Sequence, residues 1–207
     1  MSEFSAAPAC LVGRKAPDFT AAAVLPDGSI DEAFNLRKWL DGSYGVVFFW
    51  PLDFTFVCPS EILAYNARVD ALAERGAKLV GVSIDSQFAH HAWRETPVER
   101  GGLGTVDFPL VADVTKSISR DYGVLTGGAV ALRGTFVIDR DGIVRQQLVN
   151  DLPLGRDADE AVRILDALQF HEQHGEVCPA GWRKGAAGMK PDAAGVAAYL
   201  RDHAHAL

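Results

Sequence analysis

"YGVVFFW" (44–50), "PSEILAYNARVDALAERG" (59–76) and "KLVGVSID" (78–85) decide the fold. The first and third are continuous apolar runs of strand length, as expected of strands buried on both faces of a sheet. Between them, Ile62, Tyr65, Val69 and Leu72 recur three and four residues apart, which is helical spacing. Pro59 fits the first helical position and Gly76 a helix stop. The stretch therefore predicts strand, helix, strand.

A third buried strand is expected in "GTFVID" (134–139). The turn signal "DRDG" (139–142) and the alternating "IVRQQLV" after it predict a β-hairpin. A second Asp-Gly turn is expected at Asp27 and Gly28. "DADEAVRILDALQFHEQ" (157–173) reads as an amphipathic helix with Val162, Leu165, Leu168 and Gln169 on one side, and Asp157 and Asp159 at the positive end of its dipole. The order is a β-rich start, βαβ, helices, hairpin, helix. It predicts an α/β protein with a mixed central sheet flanked by helices, of the kind thioredoxin-like folds use. From residue 175 the composition shifts to Gly, Ala and Pro, with little periodicity until Val196–Leu200. Residues 1–174 are thus expected to form the main domain, and 175–207 an extended C-terminal arm.

The chain has 207 residues, 48% apolar and 23% charged, enough for one globular core. A net charge of −7 without a basic face gives no reason to expect nucleic acid as a partner. The longest apolar runs fall far short of a bilayer span, and Met1 is followed by Glu3 rather than by a signal segment, so no membrane is expected and a cytoplasmic location is. Three cysteines, Cys10, Cys58 and Cys178, fit a secreted disulfide framework poorly and raise the question of reactivity instead.

Cys58 follows the first buried strand and a short loop, and stands where Pro59 opens the helix. Unpaired amides and the positive dipole end at a helix start favour a thiolate, so a lowered thiol pKa is expected there. The alternative for an isolated cysteine is a buried structural role. "PLDFTFVC" spaces Pro51, Thr55 and Cys58 as P-x-x-x-T-x-x-C, within reach of a Thr55 hydroxyl turned to the sulfur or to a substrate oxygen.

"FFWPLDFTFVCPSEI" (48–62) and "HGEVCPAGW" (174–182) together resemble the peroxiredoxins, specifically the typical two-cysteine subgroup that includes bacterial alkyl hydroperoxide reductase. The resemblance runs from about Gly13 to Pro191. It implies a thiol-dependent peroxidase acting on hydrogen peroxide and organic hydroperoxides, with no cofactor and no metal. It makes Cys58 the peroxidatic cysteine, with Pro51 and Thr55 in its pocket. Arg133 in "ALRGTFVID" would stabilise the thiolate, Glu61 would orient that arginine, and Arg156 in "LGRDADE" would be a further arginine near the loop. Cys178 would be the resolving cysteine, forming an intersubunit disulfide in a homodimer that can assemble into a decamer. The disulfide would be recycled by thioredoxin or a dedicated flavoprotein disulfide reductase.

Other features carry less. "GGLG" (101–104) neither opens a helix after a strand nor completes a phosphate-binding fingerprint, and reads as a turn. In relatives with this segment and a Tyr-Phe pair near the C-terminus, the arm slows resolution and permits overoxidation; here the pair reads Tyr199 and Leu200. His171, His174, His203 and His205 lack partners by spacing for a metal set and read as solvated side chains. Trp93 and Trp182 are expected to pack, and Cys10 to be a free thiol near a mobile start. A disulfide reductase is disfavoured by the lack of C-x-x-C, and a cysteine hydrolase by the lack of a histidine near Cys58. A client-binding ring remains a compatible second activity.

Overall fold

The computed structural model describes residues 10–206, so Met1 and Glu3 lie outside the described residues. The chain divides into two compact units, Met1–Ala158 and Asp159–Leu207. The first is built on strands β1 (Thr20–Val24), β2 (Ile30–Asn35), β3 (Tyr44–Phe49), β4 (Ala77–Ser83), β5 (Leu110–Ala112), β6 (Leu125–Thr126), β7 (Val130–Ala131), β8 (Arg133–Ile138) and β9 (Val144–Asn150). Its helices are α1 (Leu36–Leu40), α2 (Cys58–Asn66), α3 (Val69–Ala73), α4 (Gln87–Glu95) and α5 (Ser117–Asp121). The second unit contributes α6 (Ala158–His174) and α7 (Ala193–His203).

Seven strands form one mixed sheet in the order β2-β1-β5-β4-β3-β8-β9, and β6 and β7 form a separate small ribbon. The three central strands β3, β4 and β5 run parallel, and β8 lies antiparallel to β3. Every residue of β3 and β8 is buried, which explains the unbroken apolar run of β3, while β8 buries Arg133 and Thr135 along with its apolar residues. Side chains of β3 alternate between faces. Val47 and Phe49 join a core with Val80, Val82, Val111 and Phe136. Phe48 stacks instead on Tyr65 of α2, with ring centroids 4.2 Å apart, and meets Phe108 edge-on. Gly81 is required here, because a β-carbon on it would stand 2.7 Å from the Trp50 ring.

Both expected turns form, each around an aspartate that satisfies the amides of its own turn. Asp139 Oδ1 accepts from the Asp141 and Ile143 amides between β8 and β9, and Gly142 adopts φ +75°. Asp27 Oδ1 accepts from the Ser29 amide and hydroxyl, and these bonds hold its carboxyl below the usual range.

The helix expected over 59–76 divides in two. Asn66 commits its side-chain oxygen to the Asp107 amide (2.7 Å), and the Arg68 amide bonds to Tyr65 rather than one residue further back. Helical geometry lapses at Arg68 (φ −110°, ψ 2°) and resumes in α3, which Gly76 ends with φ +65°. Strand β5, three residues long, falls in the stretch read as helical, since so short a run carries no periodicity.

In the second unit, α6 matches the expected amphipathic helix. The stretch expected near Val196–Leu200 is an eleven-residue helix, α7, whose start Asp192 caps by accepting from the Gly195 amide (2.6 Å). No helix among the described residues is long and apolar enough to cross a membrane.

Candidate active site

The loop from Trp50 to Val57 carries the chain from the end of β3 to the start of α2, and three features shape it. Pro51 is buried at its beginning. Phe54 adopts φ +52°, a left-handed conformation that strains a non-glycine residue, and its ring lies 5.6 Å from that of Trp93. Asp53 accepts from Trp50 Nε1 (2.9 Å) and meets His90 Nδ1 (2.6 Å), while its amide donates to Asp85 Oδ2 (2.8 Å). His90 is fully buried, with its other ring nitrogen 3.2 Å from the Val111 carbonyl. A histidine thus anchors the loop through Asp53, and its ring contacts Asp53 rather than Cys58. Burial pushes the Asp85 carboxyl up, against the opposing hydrogen bond from Asp53.

The loop delivers Cys58 to the first position of α2, with Pro59 next to it and no side-chain cap on the helix start. The positive end of the helix therefore lies at the cysteine. Cys58 has no solvent-exposed surface. Thr55 Oγ1 stands 2.9 Å from Sγ and 2.8 Å from the Leu52 carbonyl. A hydroxyl has one proton, so donation to an ionised sulfur requires it to leave Leu52.

On the other side, Arg133 Nη1 lies 3.4 Å from Sγ. Arg133 comes from the first residue of β8, and its Nε donates to the Leu152 carbonyl (2.6 Å). Its Nη1 also donates to Glu61 Oε2 (2.5 Å). Glu61 sits three residues beyond Cys58, which puts it one turn along the same helix. Its second oxygen accepts from the Arg156 amide (2.9 Å) and Nε (2.7 Å). Burial alone would lower the Arg133 pKa, but the bond to Cys58 and the Glu61 charge hold it above the usual arginine value.

Arg156 extends the network inward. Its Nη1 donates to the Gly134 carbonyl and to Thr135 Oγ1 (3.1 Å), which shares a 2.8 Å hydrogen bond with the Tyr65 hydroxyl. The guanidinium also lies over the rings of Phe48 and Tyr65. Burial raises the Tyr65 pKa, so its hydroxyl keeps its proton.

Thus Thr55, Cys58, Glu61, Arg133 and Arg156 converge, with Pro51 buried in the same loop. Sequence reading missed Asp53, His90, Thr135 and Tyr65 in these roles. Asp53, Tyr65 and Thr135 stand within the strand, loop and helix segments already singled out, whereas His90 reaches the loop only through the packing of α4 and carries no local signal.

Cys178 belongs to the second unit and is half-buried. Its Sγ donates to the Ala167 carbonyl of α6 (3.3 Å). Burial pushes this thiol up, against a smaller opposing effect of Arg163. Trp182 is buried against Phe170, with ring centroids 4.8 Å apart. His171 meets the Glu176 carbonyl (2.7 Å), His174 lies against Phe170, and His203 against Tyr199. Cys10 is a free, exposed thiol. The GGLG segment makes a close return: Trp93 Nε1 donates to the Gly101 carbonyl (2.9 Å), and a β-carbon on Gly102 would collide with Thr96.

Residues 12–147 match the model of the AhpC/TSA family, and residues 167–201 that of the C-terminal domain of 1-Cys peroxiredoxin. The chain belongs to the peroxiredoxin family. It is 58% identical to an alkyl hydroperoxide reductase C of Helicobacter pylori over 93% of this chain and 98% of the relative. It is 50% identical to peroxiredoxin-2 of Mus musculus, over 93% and 96% respectively. Among solved structures, the reduced 2-Cys peroxiredoxin of Plasmodium vivax superimposes with a TM-score of 0.90 at 49% identity, covering 93% of this chain and 99% of that one. The protein is a thiol-dependent peroxidase with the thioredoxin-like fold of that family.

Proposed function

We propose that this peroxiredoxin reduces hydrogen peroxide and organic hydroperoxides with Cys58 as nucleophile and Cys178 as resolving thiol. The observation that carries the reading is the position of Cys58 Sγ, buried at a helix start between Thr55 Oγ1 at 2.9 Å and Arg133 Nη1 at 3.4 Å. Both groups favour the thiolate, and both are placed to donate to peroxide oxygens as charge develops on them. The thiolate attacks one peroxide oxygen. The S–O bond forms as the O–O bond breaks, the sulfur loses an electron pair, and the other oxygen leaves as an alkoxide or hydroxide that takes up a proton. Glu61 fixes the Arg133 fork, and Arg156 holds Glu61 from behind.

The resulting Cys58 sulfenic acid is the reversible first rung of thiol oxidation. Attack by the Cys178 thiolate forms the S–S bond and expels hydroxide, which leaves as water. Disulfide geometry requires the two Cα atoms to come within about 6 Å, so the buried helix start and the arm must unwind locally. An intersubunit disulfide in a homodimer suits this chemistry. Strand β9, the last of the sheet, supplies an edge for pairing with a second copy. Decamer assembly, recycling by thioredoxin or a flavoprotein disulfide reductase, and a cytoplasmic location complete the reading. Sparse, unpaired cysteines fit a reducing compartment.

Mixing reduced protein with one equivalent of hydrogen peroxide tests it, followed on non-reducing gels. Wild type should consume peroxide and yield a linked dimer, Cys58→Ser should do neither, and Cys178→Ser should stop at an unlinked sulfenic acid. Rapid consumption by Cys58→Ser would refute the assignment.

A further inference from the structure

The segment bearing Cys178 is laid along a single stripe of α6. Arg163 Nη1 donates to the Trp182 carbonyl (2.9 Å), Asp166 faces Lys184 (3.9 Å), and the Ala167 carbonyl accepts from Cys178. One turn further on, Phe170 packs on the Trp182 ring and His171 meets the Glu176 carbonyl. Positions 163, 166, 167, 170 and 171 are spaced as one helix face. Docked this way, the sulfur gives its only proton to a helix carbonyl, which is a resting arrangement for a thiol that must later attack as a thiolate.

Of these ties, the Arg163 tie is the strongest by chemistry. Its Nε and Nη2 form a two-pronged pair with Glu160, both at 2.7 Å, which fixes the guanidinium plane and leaves Nη1 aimed at Trp182. That bond is charge-assisted, and its donor is pre-oriented. The Lys184 contact is longer and its side chain largely exposed, so it adds little.

We propose that Arg163 is the clasp that gates resolution: by holding the Trp182 carbonyl it keeps Cys178 parked on α6, and release of this bond sets the rate of disulfide formation. The inference rests on Cys178 being the resolving thiol. Arg163 touches no reacting atom and acts as a positioning residue. The clasp prolongs the life of the Cys58 sulfenic acid and so enlarges the fraction that a second peroxide converts to sulfinic acid.

The test uses the full chain, mixed rapidly with peroxide, quenched with acid and analysed by mass for sulfenic, sulfinic and disulfide forms. In Arg163→Met, conversion of sulfenic acid to disulfide should be about tenfold faster, the scale of one lost hydrogen bond to a charged group. The sulfinic fraction at excess peroxide should fall, and oxidation of Cys58 should proceed at the wild-type rate. Arg163→Lys, which keeps the charge without the fork, should lie between. A merely structural role predicts the opposite sign, because a disordered arm would find its target more slowly. Unchanged or slower disulfide formation in Arg163→Met overturns the clasp. Glu160→Gln decides the matter if that variant fails to fold: it loosens the fork and should speed resolution about threefold, on the scale of a weakened ion pair, and no acceleration there overturns the clasp as well. Cys178→Ser separates the two levels. A linked dimer in that variant defeats the role of Cys178 itself, whereas a Cys178-dependent disulfide whose rate ignores Arg163 and Glu160 defeats only the clasp.

Discussion

The two thiols assigned to the reaction are held in opposite ways. Cys58 is sealed from solvent and faces a hydroxyl and a guanidinium, each able to donate to an ionised sulfur. Cys178 is half-exposed and is itself the donor, its proton spent on a backbone carbonyl. One environment waits for negative charge and the other discourages it. What decides is whether the groups around the sulfur donate or accept.

The sharpest way to break the contrast is to remove the charge that organises the first site. Glu61 is a buried carboxylate between two guanidiniums, with both oxygens occupied. Glu61→Gln would leave two cations facing each other in a dry interior. Breaking a buried pair costs about 3–5 kcal/mol, and unfolding by denaturant should show a loss of that size. A loss below about 1 kcal/mol would indicate that the arginines are screened or held independently.

Next in size is the donor itself. Arg133→Lys keeps the charge but cannot reach Cys58, Glu61 and the Leu152 carbonyl together, as the guanidinium does. The rate of Cys58 oxidation should fall by about 10²–10³, the scale for losing a preorganised donor at a developing anion. Little change would mean that the helix start and Thr55 suffice, and the difference between the two thiols would then rest on geometry other than the arginine.

How much of this could be read from the chain differs between the two sites. Cys58, Thr55 and Glu61 lie within one short segment, so strand, loop and helix periodicity place them together. Arg133 and Arg156 come from distant strands and loops, and only the family resemblance singled them out. Strands β3 and β4 were legible because burial on both faces leaves a long, mostly apolar run, whereas β5, equally buried, is too short to show one. The break at Arg68 was not, because it depends on Asn66 meeting Asp107, a contact between segments far apart in sequence. The stripe on α6 was hidden for a related reason. Arg163 reads as an ordinary exposed residue of an amphipathic helix until the arm is laid across it.

The smallest expected effect is a pH dependence confined to the second thiol. Burial holds the docked Cys178 above the ordinary thiol value, and nearby Arg163 opposes this only in part. Once released into water the same thiol titrates at the ordinary, lower thiol value. Below that value both forms keep the proton and pH leaves docking unchanged. As pH rises through it, the released arm ionises first, so docking weakens progressively until the raised value of the docked thiol is passed. In a Cys10→Ser, Cys58→Ser background, alkylation of Cys178 should follow a curve displaced to higher pH than that of a free thiol, and Arg163→Met should move it toward the free-thiol curve by freeing the arm. An alkylation curve that coincides with the free thiol in the otherwise unaltered background would mean that Cys178 is not parked at all, and the opposition between a prepared thiol and a restrained one would reduce to the properties of Cys58 alone.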